Sequence, residues 1–358
     1  MTGSVAVPRP SAVTPLAAWR RLGSWDVLLF VLVVCMFVFG DAVTEDVRTS
    51  ATAFNTLRNV TEIMLIALAM TMLIISGEID LSVGSAVGLS SCVVGKAFES
   101  GLPMWQCAVL GVVSGTLGGA LNGFLVTRVG LQSLAVTIGT LALFRGLGSV
   151  LLGNNTVSQF PQGWVSFGYS EKLFGFLPKT WLIVVPAILL FTVLLRYAKT
   201  GHAVYAIGLN NEAARYSGLQ VRRIKFALFV VTGAMAGLGG VLFTLRTASA
   251  SPTAVRGLEL SVIAAVLFGG VSIFGGKGGL FGVASAVLFL GLSLRILVLA
   301  GVKPNVLTVV TGGLLLVSVV GPAVAARLRA RALFSRSAGR AERESHSAQT
   351  MLPDSERL

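Results

Sequence analysis

The 358-residue chain is 54% hydrophobic and only 12% charged, whereas an ordinary soluble domain is roughly a quarter charged, so a water-soluble globular enzyme is excluded and lipid is the expected solvent. A net charge of +13 would suggest nucleic acid as a partner in a polar chain; in one this apolar it reads as a topology signal, and no nucleic-acid binding is expected.

A spanning helix needs about 20 predominantly apolar residues. About ten runs of that order follow one another, at 27–43, 61–77, 81–94, 103–126, 133–152, 181–195, 226–245, 260–275, 279–301 and 304–326. The predicted fold is an all-α polytopic membrane protein of about ten transmembrane helices. It divides into an N-terminal segment 1–25, a membrane domain 26–326 and a basic tail 327–358, whose polar, aperiodic composition predicts disorder. The first run has no cleavage signal followed by a soluble domain and is read as a retained span.

Between the second and third runs lies SGEIDLSVGS, 76–85. Gly77 can close the preceding helix in a left-handed cap, and Asp80 or Ser82 can cap the next. The same residues, with Glu78, also suit a rigid cytoplasmic hairpin near a partner interface. In the fourth run Gly115, Gly119 and Gly123 recur at helical spacing, as do Gly233 and Gly237 in the seventh. Such spacing lets helix backbones approach closely, and packing is the reading preferred over a pore lining. Arg145 and Arg295 sit inside apolar runs, where snorkelling or helix pairing competes with a substrate contact.

The segment 196–225, between the sixth and seventh runs, is the longest basic loop, with Arg196, Lys199, Arg215, Arg222, Arg223 and Lys225. With the Arg-rich tail it places the loop and both termini in the cytoplasm. Within it, Asn210 or Asn211 can N-cap a short helix, Glu212 favours that helix's positive end, and Gly218 can end it about two turns later. An interfacial amphipathic helix is the alternative for this stretch. The eighth run continues into GVSIFGGKG, 270–278. It approaches a phosphate loop but has Lys277 one position late, no following Ser or Thr and no preceding strand, so ATP hydrolysis by this chain is not expected. No Asp or Glu is expected deep inside a span, which disfavours an ion-coupled carrier. Cys35, Cys92, Cys107 and the isolated His202 and His346 show no ligand or pairing pattern, so neither a metal site nor a disulfide is expected.

Two stretches repeat weakly at nearly equal offsets: 80–83 (DLSV) resembles 259–262 (ELSV), and 130–137 resembles 301–308. They suggest an inverted repeat of two five-span halves, unless chance among Gly, Leu and Val explains them.

The motifs GEIDLSVGS (77–85), TIGTLALFRG (137–146), YAIGLNNEAARYSG (205–218) and GLEL (257–260) followed by AAVLFGGVSIFGG (264–276) together resemble the permease subunits of bacterial ABC sugar importers. That family handles ribose, xylose, galactose, rhamnose and autoinducer-2, and the likeness covers about 55–320. It implies a coupling helix at Glu212, Ala213, Ala214, Arg215 and Gly218 that docks into an ATP-hydrolysing subunit. It also implies a multi-pass inner-membrane location, a second permease copy in a homo- or heterodimer, and a periplasmic sugar-binding protein. ATP and Mg would be bound by the partner ATPase, with no cofactor in this chain, and lipid would surround the whole. Glu78 and Phe268 depart from the Gly and smaller aliphatic residue more common among relatives.

The expected function is translocation of a monosaccharide, rhamnose or a related sugar, by alternating access. The alternatives are an ABC permease for another solute and an ion-coupled secondary transporter. Candidate pathway residues are Ser90, Asn122, Thr137, Thr140, Arg145, Thr232 and Thr311; interhelical hydrogen bonding explains the uncharged ones equally well.

Overall fold

A computed structural model describes residues 24–302, except 154 and 254, and isolated positions 306, 309, 312, 313, 316 and 320. The segment before residue 24, the tail from 327, Thr311 and nearly all of the tenth run lie outside the described residues.

Each of the nine apolar runs before residue 302 becomes a helix, because a predominantly apolar run in lipid must satisfy its backbone internally. The helices are α1 (Ser24–Val43), α2 (Ser50–Asn59), α3 (Thr61–Ile75), α4 (Val83–Glu99), α5 (Met104–Phe124), α6 (Ser133–Leu152), α7 (Gln162–Tyr169), α8 (Trp181–Arg196), α9 (Lys199–Leu209), α10 (Asn211–Tyr216), α11 (Val221–Thr247), α12 (Leu258–Phe268) and α13 (Leu280–Leu299). Helix α5 runs on into a π turn, Leu125–Val129, closed by Gly130 at φ +86°. Two small antiparallel ribbons complete the fold: β1 (Val157–Ser158) pairs with β4 (Ser249–Ala250), and β2 (Lys172–Leu173) with β3 (Leu177–Pro178).

Helix α3 is apolar on every side, and such a helix belongs at the centre. From Met64 to Ile75 every residue is buried, with α11, α12, α8 and α13 packed around it. Helix α1 lies at the periphery against α13, and Phe30, Val38 and Phe39 remain more than half exposed. The tightest pairing is α5 on α11. A Cβ at Gly115 would lie 2.5 Å from the Gly237 Cα, and one at Gly233 would lie 2.7 Å from the Gly119 Cα, so backbone meets backbone. The glycine spacing therefore serves packing.

Among the described residues five helices are long and apolar enough to cross a bilayer: α1, α5 with its π turn, α6, α11 and α13. The number rises to seven if the pairs α2–α3, bent by 46°, and α8–α9, bent by 65°, each form one span. Two expected spans are short: α4 has 17 residues and α12 only 11, each entered through irregular backbone. Their first turns touch. A Cβ at Gly84 would lie 2.9 Å from the Glu259 backbone nitrogen, so the similar stretches 80–83 and 259–262 adjoin.

Candidate coupling and translocation site

Helix α10 stands at one end of the bundle. Asn210 adopts extended backbone, and its Oδ1 accepts from the Ala213 N–H at 2.9 Å, satisfying a donor that the helix start leaves open. Six residues later the chain leaves the helix, and Gly218, at φ +87°, takes the left-handed conformation that a side chain resists. The Leu219 amide reaches back to the Ala214 carbonyl at 3.2 Å, and the Ser217 hydroxyl donates to the same oxygen at 2.8 Å. The two alanines differ in role. Ala214 is buried against its own chain, while Ala213, Glu212 and Arg215 face outward. Tyr216 at 88% and Leu209 at 69% exposure add apolar surface to this projecting turn.

The hairpin at 76–82 is locked to this loop. Gly77 sits at φ +85°, and the Glu78 amide bonds the Leu73 carbonyl, closing α3 with the expected left-handed cap. The expected cap on α4 differs. Asp80 Oδ1 accepts from the Ser82 amide at 2.8 Å and from the Ser82 hydroxyl at 2.6 Å, while Ser82 makes no side-chain bond to the helix amides. Asp80 thus folds the entry turn instead of capping the helix, because an Asp two residues before an amide forms an Asx turn more readily. Asn122 on α5 donates to Ser82 Oγ at 2.8 Å, and the Ile79 amide reaches Ser133 Oγ on α6 at 3.4 Å. Finally Lys225, in the first turns of α11, donates to Glu78 Oε1 at 2.6 Å, with the two side chains only 10% and 13% exposed. The hairpin is thereby tied to the helix that leaves α10.

At the joint of α4 and α12, Arg145 on α6 pairs with Glu259 at 2.6 Å. Glu259 Oε2 is buried without a hydrogen bond. Arg145 therefore pairs with a helix instead of snorkelling. Glu62, at the start of α3, is likewise buried and pairs with Arg246 at 2.7 Å. Each carboxylate is the second residue of its helix, near the end and not deep in the apolar run, and each is nevertheless buried. Glu259 falls within a helix because α12 begins two residues before the apolar run does, and a partner arginine offsets the desolvation of each. Arg295 lines an apolar cavity of about 220 Å³ beside Asn59 and Ser261.

The uncharged pathway candidates among the described residues are buried, and their donors are engaged. Ser90 donates to the Gly237 carbonyl at 2.8 Å, joining α4 to α11; Thr232 bonds the Leu228 carbonyl within α11 at 2.8 Å. Thr140 bonds the Val136 carbonyl at 3.2 Å, and Thr137 reaches the Ile79 carbonyl at 3.4 Å, so α6 grips the hairpin. Asn122 Oδ1 alone in this set is a buried acceptor without a partner.

The glycine-rich stretch 269–279 holds the helix ends together. The Gly276 amide bonds the Ile75 carbonyl at 2.8 Å, and the Tyr205 hydroxyl on α9 donates to the Gly278 carbonyl at 2.7 Å. Gly270, Gly275, Gly276 and Gly278 all take positive φ, a backbone fitted to close contact. The packing role of this stretch was not foreseen, although its glycine density was the available signal.

The profile of the family described as branched-chain amino acid transport system / permease component matches residues 52–319. Autoinducer 2 import system permease protein LsrD of Yersinia pestis (strain Pestoides F) is 32% identical over 313 residues, covering 86% of this chain and 93% of that protein. The protein of the same name from Yersinia pseudotuberculosis serotype O:1b (strain IP 31758) matches to the same extent. No solved structure matches the chain. With a buried central helix, several apolar helices of spanning length and a family profile matched over most of its length, the chain belongs to the branched-chain amino acid transport system permease family and is a multi-pass inner-membrane permease.

Proposed function

We propose that this chain forms the conduit of an ATP-binding cassette importer and takes its energy from a partner ATPase. The observation that carries the reading is the capped, outward-facing turn Asn210–Gly218, tied through Lys225 and Glu78 to the hairpin. Such a turn offers a partner a small docking knob, with Glu212 and Ala213 exposed on it and Gly218 setting its exit angle. In this account the end of the bundle carrying α10 is cytoplasmic, in keeping with its arginines. Movement of α10 passes to α11, through Lys225 to the hairpin, and from there to α4, whose first turn rests on Glu259 of α12. The joint where α4 and α12 meet, with Arg145 and Glu259, is the proposed pathway centre. Short helices that begin at such a joint direct their positive ends toward a solute. Ser90, Asn122, Thr137, Thr140 and Thr232 then hold the walls.

The conduit is completed by a second permease copy, identical or related, and is fed at the far end by a periplasmic binding protein. ATP and Mg act on the ATPase. The relatives' names support autoinducer 2 as cargo, and a monosaccharide, rhamnose or a related sugar, is the cargo proposed from the resemblance of the sequence motifs. The family's own description favours an amino acid as the second reading.

The coupling element is tested by Glu212→Ala together with Gly218→Val. Both variants should insert in the membrane at wild-type levels yet lose co-purification with the ATPase and transport-linked ATP hydrolysis. Retention of both properties removes α10 from the mechanism.

A further inference from the structure

Beside α10, a groove of about 880 Å³ opens between the end of α5 and the start of α11, lined by Arg128, Arg215, Arg222 and Arg223 with Phe124 and Phe226. All four arginines are exposed. Among the described residues no carboxylate pairs with any of them. The start of α11 adds to the positive field, since Gln220 makes no side-chain cap there and the first amides of a 27-residue helix carry partial positive charge. Planar guanidinium groups match phosphate oxygens in pairs, so the groove selects an anion of phosphate type.

What leads into the groove decides which anion. Leu110, Val113, Leu117, Leu121 and Phe124 recur every three or four residues on α5, and each is 38% exposed or more, up to 64% at Leu117. Together they form one outward apolar row that ends at the arginines. Phe226, 37% exposed, continues it on α11. A free phosphate has no use for such a row, and an acidic protein surface would leave it bare. A molecule with an anionic head and an apolar tail satisfies both parts. We propose that the groove binds one anionic phospholipid from the leaflet on the α10 side, with its phosphate among Arg128, Arg222 and Arg223 and an acyl chain along Leu117, Leu121 and Phe124. A lipid seated there would brace the exit of α10 against α5.

Native mass spectrometry of the detergent-purified chain, incubated with phosphatidylglycerol, phosphatidylcholine or inorganic phosphate alone, tests this. The wild-type chain should retain phosphatidylglycerol in preference to phosphatidylcholine, and inorganic phosphate should not displace it. Replacing Arg128, Arg222 and Arg223 together with Gln should weaken that retention roughly a hundredfold, each charge near a lipid surface contributing about fivefold. The corresponding triple Lys variant should keep it. Should the Gln triple fail to elute as a monodisperse species, Arg128→Gln alone, on the π turn and not on α10 or α11, should still weaken retention about fivefold. Equal retention of both lipids, displacement by inorganic phosphate or unchanged retention in the Gln variants overturns the proposal. So does a Gln triple that keeps the lipid but loses the ATPase, which makes the groove a protein contact.

Discussion

Replacing Lys225 with Met should lower the stability of the folded chain by about 3–5 kcal/mol, the usual consequence of leaving one member of a buried ion pair unmatched. Glu78 and Lys225 are each at most 13% exposed and lie 2.6 Å apart, and no other hydrogen bond or ion pair is assigned to Glu78's carboxylate among the described residues. Removing Glu78 as well, in Lys225→Met with Glu78→Leu, should recover most of the loss, because two apolar groups need no mutual compensation. Thermal unfolding of the purified variants distinguishes the outcomes: a single variant as stable as the double means that Glu78 is hydrated and the pair holds nothing. The acid at position 78 is answered by a lysine 147 residues later.

The second large effect is expected on the seam of α5 and α11. Gly115→Leu should prevent the two helices from closing, since the Cβ alone would meet the Gly237 Cα at 2.5 Å and the Gly237 nitrogen at 2.6 Å, and backbone cannot rotate aside. Overpacking costs about 1–3 kcal/mol where side chains can adjust; here the displaced atoms are backbone, so the loss should exceed that range. Fluorescence-detected size exclusion should show aggregated rather than monodisperse protein. Gly146→Ala on α6 is the control, because a Cβ there meets nothing within 4 Å. It should leave stability unchanged or raise it by up to about 1 kcal/mol. If Gly115→Leu behaves like the control, the seam is not a close contact.

What could be read from the sequence was local. Apolar runs located nine helices among the described residues, and Asn210, Gly77 and Gly218 stand in their expected cap and left-handed positions because these depend on neighbours within a turn. Helix α2 escaped because SATAFNTLRN is too polar to register as a membrane segment, although it joins α3 at a bend. The ion pairs escaped for another reason. Glu62 with Arg246, Glu78 with Lys225 and Arg145 with Glu259 are separated by 184, 147 and 114 residues, so no spacing rule connects them. The usable signal was that each arginine or acid in an apolar setting requires a partner, and these charges could have been matched as a set. The shortness of α12 was hidden because the glycines of 269–279 read as a continuation of an apolar run, while their positive φ values belong to a loop.

The central claim is that the chain is a conduit without an engine of its own. Its most direct test is solute uptake into proteoliposomes that contain the permease and its binding protein, with and without the partner ATPase and ATP. The account predicts accumulation only when ATPase and ATP are both present, unaffected by a protonophore. Accumulation by the permease without any ATPase, or accumulation abolished by the protonophore while ATP remains, would contradict it.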